Sequence, residues 1–229
     1  MTHAIRERLQ TLREEVDAVA RSVGRGADEI AILGVSKKQS ADAIREAVAA
    51  GLNDIGENYV QEARKKFALL EDAEPFVKHF IGHVQTNKVK QIAETFDLVQ
   101  GVDRIEAGAA LAKAAESLGK RLDVLVQVNI SPSERFGCAP ATAPALAEAL
   151  RESPNLSVRG VMAIGPVTDD RDQIRRAFAL AAKTFEQIGG NTLSIGMSGD
   201  WREAIAAGST MIRIGTALFG PRPVPATPA

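Results

Sequence analysis

The feature that most limits what this chain can fold into is a unit that recurs along it: a short apolar run, a turn, then an amphipathic helical pattern. The first full copy is Ile30-Ala31-Ile32-Leu33-Gly34-Val35, followed by Ser40 as a helix N-cap, a helix through about residue 50, and Gly51 as its stop. Further apolar runs lie near residues 54–57, 78–82, 97–102, 122–130, 158–164, 192–196 and 211–214, which makes eight. Helical patterns fall between them near 59–70, 86–95, 104–118, 141–152, 171–188 and 201–207. Two of these open with the capping spacings Asp103…Glu106 and Asp200…Glu203. A run as continuously apolar as Leu122-Asp123-Val124-Leu125-Val126-Gln127-Val128 suits a parallel sheet covered on its outer face by helices. Eight such units predict a single α/β domain, a (β/α)8 barrel of the TIM type over residues 1–220. An open doubly wound sheet is the structural alternative. Its dinucleotide-binding version loses support because no Gly-x-Gly-x-x-Gly follows the first strand.

Ahead of the first unit, Ile5, Leu9, Leu12, Val16, Val19 and Val23 form a helical stripe that Gly24 ends, so an extra N-terminal helix opens the chain. Residues 221–229, Pro-Arg-Pro-Val-Pro-Ala-Thr-Pro-Ala, are too rich in proline to continue either element and predict an extended, mobile tail.

Composition narrows the function classes. With 45% hydrophobic and 25% charged residues in 229, the chain can bury a large core as one domain. Its 28 basic and 29 acidic residues leave a formal charge of −1, so no overall positive field exists to hold a nucleic acid. The N-terminus lacks the apolar core of a signal peptide, and no stretch is long and apolar enough to span a bilayer, which together predict a cytoplasmic location. Cys138 is the only cysteine, fits a reducing compartment and reads as a buried or neutral thiol. His3, His79 and His83 make no triad or metal-ligand spacing, so no metal is implied. No coiled-coil seam or exposed apolar stripe is legible, and a monomer is expected.

In such a barrel, functional groups emerge from the C-terminal ends of the strands and the loops after them. Strand one ends in Val35-Ser36-Lys37-Lys38. A lysine there condenses with an aldehyde once its ammonium has lost a proton, and an apolar surround or an adjacent cation favours that loss. Alternation along the strand does not choose between Lys37 and Lys38. The barrel's usual phosphate position lies in the loops after strands seven and eight, here Gly196-Met197-Ser198-Gly199-Asp200 and Arg213-Ile214-Gly215-Thr216-Ala217. The first brings a hydroxyl and a closely approachable glycine; the second brings the amides of Gly215 and Thr216 and another hydroxyl. A phosphate held on one side of the mouth and an amine projecting from strand one describe a phosphorylated aldehyde, of which pyridoxal 5′-phosphate (PLP) is the common cofactor. Asn58, which follows the second strand, is placed to hydrogen-bond a ring substituent. Glu57 and Glu62 read as helix-start charges, Tyr59 as a packed ring, and His83 as a base, a wall of the site or a structural histidine.

Taken together, Val35-Ser36-Lys37, Gly56-Glu57-Asn58-Tyr59-Val60-Gln61-Glu62, the segment from His79 to Lys88, Val128-Asn129-Ile130, Arg159-Gly160-Val161-Met162, Gly196-Met197-Ser198 and the segment from Arg213 to Gly220 resemble the pyridoxal phosphate homeostasis proteins. These were formerly described as proline synthetase co-transcribed proteins, and their fold is similar to the N-terminal barrel of alanine racemase. The resemblance runs from strand one to strand eight. It implies that Lys37, not Lys38, takes PLP as a Schiff base. It also implies that Ser198, Gly215 and Thr216 bind the phosphate, that Arg213 faces the pyridine nitrogen, and that Asn58 lines the ring. Two departures from the family pattern stand out. Glu134-Arg135-Phe136-Gly137 replaces the usual Ser-Lys pair after strand five, which removes a second lysine that could accept PLP, and Gln39-Ser40 stands where a proline is expected.

An arginine opposite the pyridine nitrogen disfavours protonation there and makes the ring a weaker electron sink. Alanine racemases share that pairing but add a tyrosine base from a second domain, which this chain does not carry. The expectation is therefore a PLP-binding carrier or regulator in vitamin B6 homeostasis, without a catalytic residue, that delivers PLP to apo-enzymes. A PLP-dependent amino-acid racemase is the first rival, and an aldolase-like barrel whose lysine attacks a phosphorylated sugar is the second.

Overall fold

The computed structural model of the chain describes residues 4–133 and 135–221. Glu134, His3 and the proline-rich segment 222–229 lie outside the described residues. The strands are β1 (Ala31–Val35), β2 (Asp54–Glu57), β3 (Val77–Phe80), β4 (Leu98–Val102), β5 (Leu122–Val128), β6 (Leu156–Ala163), β7 (Thr192–Ser194) and β8 (Met211–Ile214). They pair in sequence order, all parallel, and β8 closes onto β1 through Ala31↔Met211 to Gly34↔Ile214. The expected (β/α)8 barrel is therefore the observed architecture.

Around it lie α1 (Ala4–Ser22), α2 (Ala41–Ala49), α3 (Val60–Phe67), α4 (Val89–Thr95), α5 (Ile105–Ser117), α6 (Ala143–Arg151), α7 (Arg171–Ile188), α8 (Trp201–Ala206) and α9 (Thr216–Phe219). The last is a single turn, too short to cover the seam between β8 and β1. The N-terminal helix supplies the missing cover: α1 buries Ile5, Leu9, Leu12 and Val16 and packs against α2, α8 and α9. Val19 packs against that core from a partly buried position, and Val23 lies just beyond the helix and is exposed.

Period-two alternation splits the strand side chains between two environments. Val99, Val124, Val126, Val161, Leu193, Ile212 and Ile214 join the large apolar shell between sheet and helices. The residues between them point into the lumen, where Leu98, Leu125 and Met162 form a separate small cluster. A chain of polar side chains also crosses the lumen. Arg213 Nη1 donates to Ser194 Oγ (2.9 Å), Ser194 Oγ to Gln100 Oε1 (2.7 Å), Gln100 Nε2 to His79 Nδ1 (3.0 Å), and His79 Nε2 to Asp54 Oδ1 (2.8 Å). With Nδ1 accepting, the histidine carries its proton on Nε2, and the chain of bonds runs in one direction from a cation on β8 to a carboxylate on β2. His79 is thus a lumen residue satisfied on both nitrogens.

Local signals hold in part. Ser40 caps α2, accepting from the Ala43 amide at 3.2 Å. The Asp103…Glu106 and Asp200…Glu203 boxes do not form. Arg104 occupies the N-cap of α5 without a side-chain bond, and Asp103 instead pairs with Arg104 at 2.7 Å. Asp200 sits at the N-cap of α8, but its carboxylate accepts from the Met197 amide at 2.6 Å, closing the loop before the helix rather than capping the helix. The expected third, fifth and seventh strands also ran on into the loops after them, which stay apolar beyond the last ladder residue.

Candidate functional site

The mouth of the barrel is built from the loops after the strands. At β1, Ser36 Oγ donates to Glu57 Oε1 at 2.5 Å, and Glu57 meets Lys66 of α3, so both side chains lie on the helix side of the sheet. Lys37 follows Ser36 and is half-buried, whereas Lys38 is exposed. The Gln39 amide bonds the Ser36 carbonyl at 2.9 Å, so Lys37 and Lys38 are the two central residues of a β-turn. Lys38 has a φ of +62°, a left-handed conformation that among the described residues only Lys38 and glycines adopt.

At β8, Arg213 is almost wholly buried. Its Nη1 donates to the Ser194 carbonyl (2.6 Å) as well as the Ser194 hydroxyl, and its Nη2 to the Ala163 carbonyl (2.8 Å). Those bonds use three of the guanidinium's five N–H groups and leave Nε–H and one Nη2 hydrogen. Burial pulls Arg213 down to about 10, against the opposing pull of Asp200. Burial likewise raises Asp200, although the Met197 amide and Arg213 hold it back. Three buried polar atoms take no partner near the strand ends among the described residues: Glu57 Oε2 at the end of β2, Asn58 Oδ1 after it and His83 Nδ1 after β3. The His83 ring stacks on exposed Phe136 with centroids 3.8 Å apart, and its Nδ1 is 3.7 Å from Asp103 Oδ2, too far for a hydrogen bond. Gly82 lets the segments after β2 and β3 approach closely, since a Cβ there would sit 2.3 Å from the Asn58 carbonyl oxygen.

Ser198 and Thr216 are exposed, and neither hydroxyl makes a hydrogen bond among the described residues. Thr216 and Ala217 begin α9, where first-turn amides have no partner inside the helix. A side chain at Gly215 would meet nothing nearer than the Val35 carbonyl, 3.6 Å away. This donor set fits a phosphorylated aldehyde with a ring nitrogen: unspent hydroxyls and amides for an anion, spare N–H groups on a buried arginine for an acceptor, and an orphaned carbonyl oxygen on Asn58 for a donor.

Some expectations need correction. Glu57 is not a helix-start charge but the last residue of β2, fully buried. Glu62 does lie in the first turn of α3, yet its carboxylate is spent on Lys66 (2.9 Å) and on the Lys38 amide (2.5 Å). Tyr59, expected as a packed ring, is 56% exposed. Arg135 donates to the Gly165 carbonyl at 3.2 Å, tying the loop after β5 to the loop after β6. Lys66 had drawn no attention in the sequence. Its spacing of four from Glu62, on a helix face that buries Ala63 and Phe67, was the available signal.

A buried arginine on β8 and a lysine turn after the neighbouring β1 of one closed β/α barrel define an alanine-racemase-type barrel, and the sequence pattern of the family described as "Alanine racemase, N-terminal domain" matches residues 8–223. The Pseudomonas aeruginosa pyridoxal phosphate homeostasis protein is 44% identical over 221 residues, covering 95% of this chain and 96% of that one. Its Escherichia coli K12 counterpart is 40% identical over 229 residues, covering 95% and 97%. Among solved structures, PipY of Synechococcus elongatus PCC7942 with PLP bound superposes with a TM-score of 0.82 at 35% identity, covering 94% of this chain and all of that one. The chain belongs to the pyridoxal phosphate homeostasis protein family.

Proposed function

We propose that this protein holds PLP as a Schiff base on Lys37 and serves intracellular PLP homeostasis as a non-catalytic carrier, keeping the aldehyde sequestered and passing it to apo-enzymes. The observation that carries the reading is the pairing of a half-buried lysine after β1 with a buried arginine on β8 that keeps two N–H groups unspent. PLP, when bound, supplies an aldehyde carbon that takes the Lys37 nitrogen with loss of water, and a phosphate that anchors it. Ser198, Thr216 and the Gly215 and Thr216 amides bind that phosphate; Arg213 donates toward the ring nitrogen and keeps it unprotonated; Asn58 accepts from a ring substituent through Oδ1. The PLP-bound PipY relative, at 35% identity over nearly the whole chain, supports this assignment.

The carrier reading is favoured over a racemase because two-base proton transfer needs a second acid–base group opposite the lysine. Tyr59 points its ring to solvent at the start of α3, and His83 is stacked under Phe136. Among the described residues no helix is long and apolar enough to cross a membrane. A cytoplasmic monomer is part of the proposal. Borohydride reduction of the PLP-loaded protein, followed by peptide mapping, is expected to fix the label on Lys37. Label on Lys38, or none, refutes the site. Turnover of D- or L-amino acids that disappears in Lys37→Ala refutes the carrier.

A further inference from the structure

The turn that carries Lys37 is clamped from behind by three charged side chains that the proposed function does not use. Lys66 Nζ donates to the Ser36 carbonyl at 2.8 Å, pairs with Glu62 at 2.9 Å and also pairs with Glu57. Glu57 takes the Ser36 hydroxyl at 2.5 Å, and Glu62 takes the Lys38 amide at 2.5 Å. Each residue flanking Lys37 is therefore held by at least one bond to the cluster, the one before it through its carbonyl and hydroxyl and the one after it through its amide. Glu57 and Lys66 are buried, at 0% and 8% exposure, so the bonds between them and Ser36 face little competition from water, whereas the Glu62 carboxylate is partly exposed and bonds the Lys38 amide at the surface. The segment it holds is also the strained one. The second central residue of the turn takes a left-handed φ of +62°, a position that favours glycine or asparagine, yet a lysine stands there.

We propose that Glu57, Glu62 and Lys66 form a positioning clamp that imposes the left-handed turn at Lys38 and so presents the Lys37 amine at the barrel mouth before any ligand arrives. The proposal rests on Lys37 being the residue that takes PLP. Glu62 bonds the strained residue itself, which makes it the sensitive element. Without its carboxylate, the turn relaxes toward negative φ at Lys38, and the lysine ahead of it swings with the backbone. Glycine at position 38 adopts the left-handed conformation at no steric cost and makes the clamp redundant.

The test measures how much Lys37 is labelled when the protein is equilibrated with limiting PLP and reduced with borohydride, with thermal unfolding as the fold check. Glu62→Ala is expected to lower labelling affinity about tenfold, the scale set by losing a hydrogen bond to a charged group. Glu62→Gln, which keeps an oxygen for the Lys38 amide, is expected to stay within roughly twofold to threefold of the parent. Made in a Lys38→Gly background, Glu62→Ala is expected to cost less than about twofold relative to that background. Equal losses in the two backgrounds, equal losses for Gln and Ala, or no loss in the parent would overturn the clamp. A parent chain that is never labelled on Lys37 would instead overturn the function on which it rests.

Discussion

Replacing Gln100 with leucine tests whether the polar chain across the lumen is structural. The side chains are close in size, so the substitution leaves little void and its cost is almost entirely polar. Gln100, Ser194 and His79 are all essentially inaccessible to water. Leucine removes the acceptor of the Ser194 hydroxyl (2.7 Å) and the donor to His79 Nδ1 (3.0 Å), and no water reaches either group to replace it. Each orphaned group costs about 1–3 kcal/mol. The apolar leucine in the lumen returns roughly 1 kcal/mol through burial, which leaves a net loss of about 1–5 kcal/mol. For a chain of this length that corresponds to a fall in Tm of roughly 2–20 °C. Urea unfolding followed by circular dichroism gives the free energy, and an unchanged m-value shows that the loss is in stability rather than in compactness. Ser194→Ala combined with Gln100→Leu is expected to cost less than the sum of the two, because the second substitution removes a group already orphaned. A stability within about 0.5 kcal/mol of the parent, or strict additivity of the pair, would refute the claim that these bonds hold the lumen together.

Ser198→Ala and Thr216→Val are each expected to weaken PLP retention about tenfold or more in equilibrium dialysis while leaving Tm unchanged, since both hydroxyls are exposed and make no hydrogen bond among the described residues; unchanged retention in both would remove them from the phosphate site. Burial pushes the Cys138 thiol from 9.0 up to about 11, so at pH 8 its thiolate fraction, and with it the rate of reaction with a disulfide reagent, should be roughly a hundredfold below that of the unfolded chain; equal rates would show that the thiol is not desolvated. Burial also raises Glu57 above its ordinary 4.5, despite Lys66 and Ser36. The protonated form is thus favoured by folding, and the stability this confers is complete below the unfolded value and lost as pH rises through the folded one. The stability of the parent relative to Glu57→Gln should fall with rising pH across that window; a difference that stays flat or rises contradicts the raised carboxyl.

Much of the fold was legible because its period is redundant. Eight apolar runs separated by helical stripes tolerate errors of two or three residues at each boundary without changing the topology. Capping was less legible. Asp103 and Asp200 have the right spacing, but each carboxylate has a better partner in three dimensions, Arg104 for one and the Met197 amide for the other. The site residues fall between these cases. Strand-end position marks Lys37 and Lys38 alike and loop composition marks Ser198, Gly215 and Thr216, whereas the choice of Lys37 over Lys38 and the role of Arg213 come only with the family resemblance. No periodicity rule reaches that far past the last ladder residue, Val35.

Ser36 faces the helices, and it is held there by groups that sequence logic assigns elsewhere. An acidic residue in the first turn of a helix has a sufficient explanation in the helix dipole, so Glu62 attracts no further question. Once α3 lies against β2, Lys66 one turn along is buried, and a buried ammonium requires acceptors. Glu57, Glu62 and the Ser36 carbonyl are those acceptors. Satisfying one buried cation therefore holds the backbone on the helix side of residue 36, directly ahead of Lys37. The same reasoning explains why a lysine is tolerated at a left-handed position without glycine. The strain at Lys38 is local, of order 1–2 kcal/mol, while the Glu62 carboxylate that bonds its amide is itself tied to the buried Lys66.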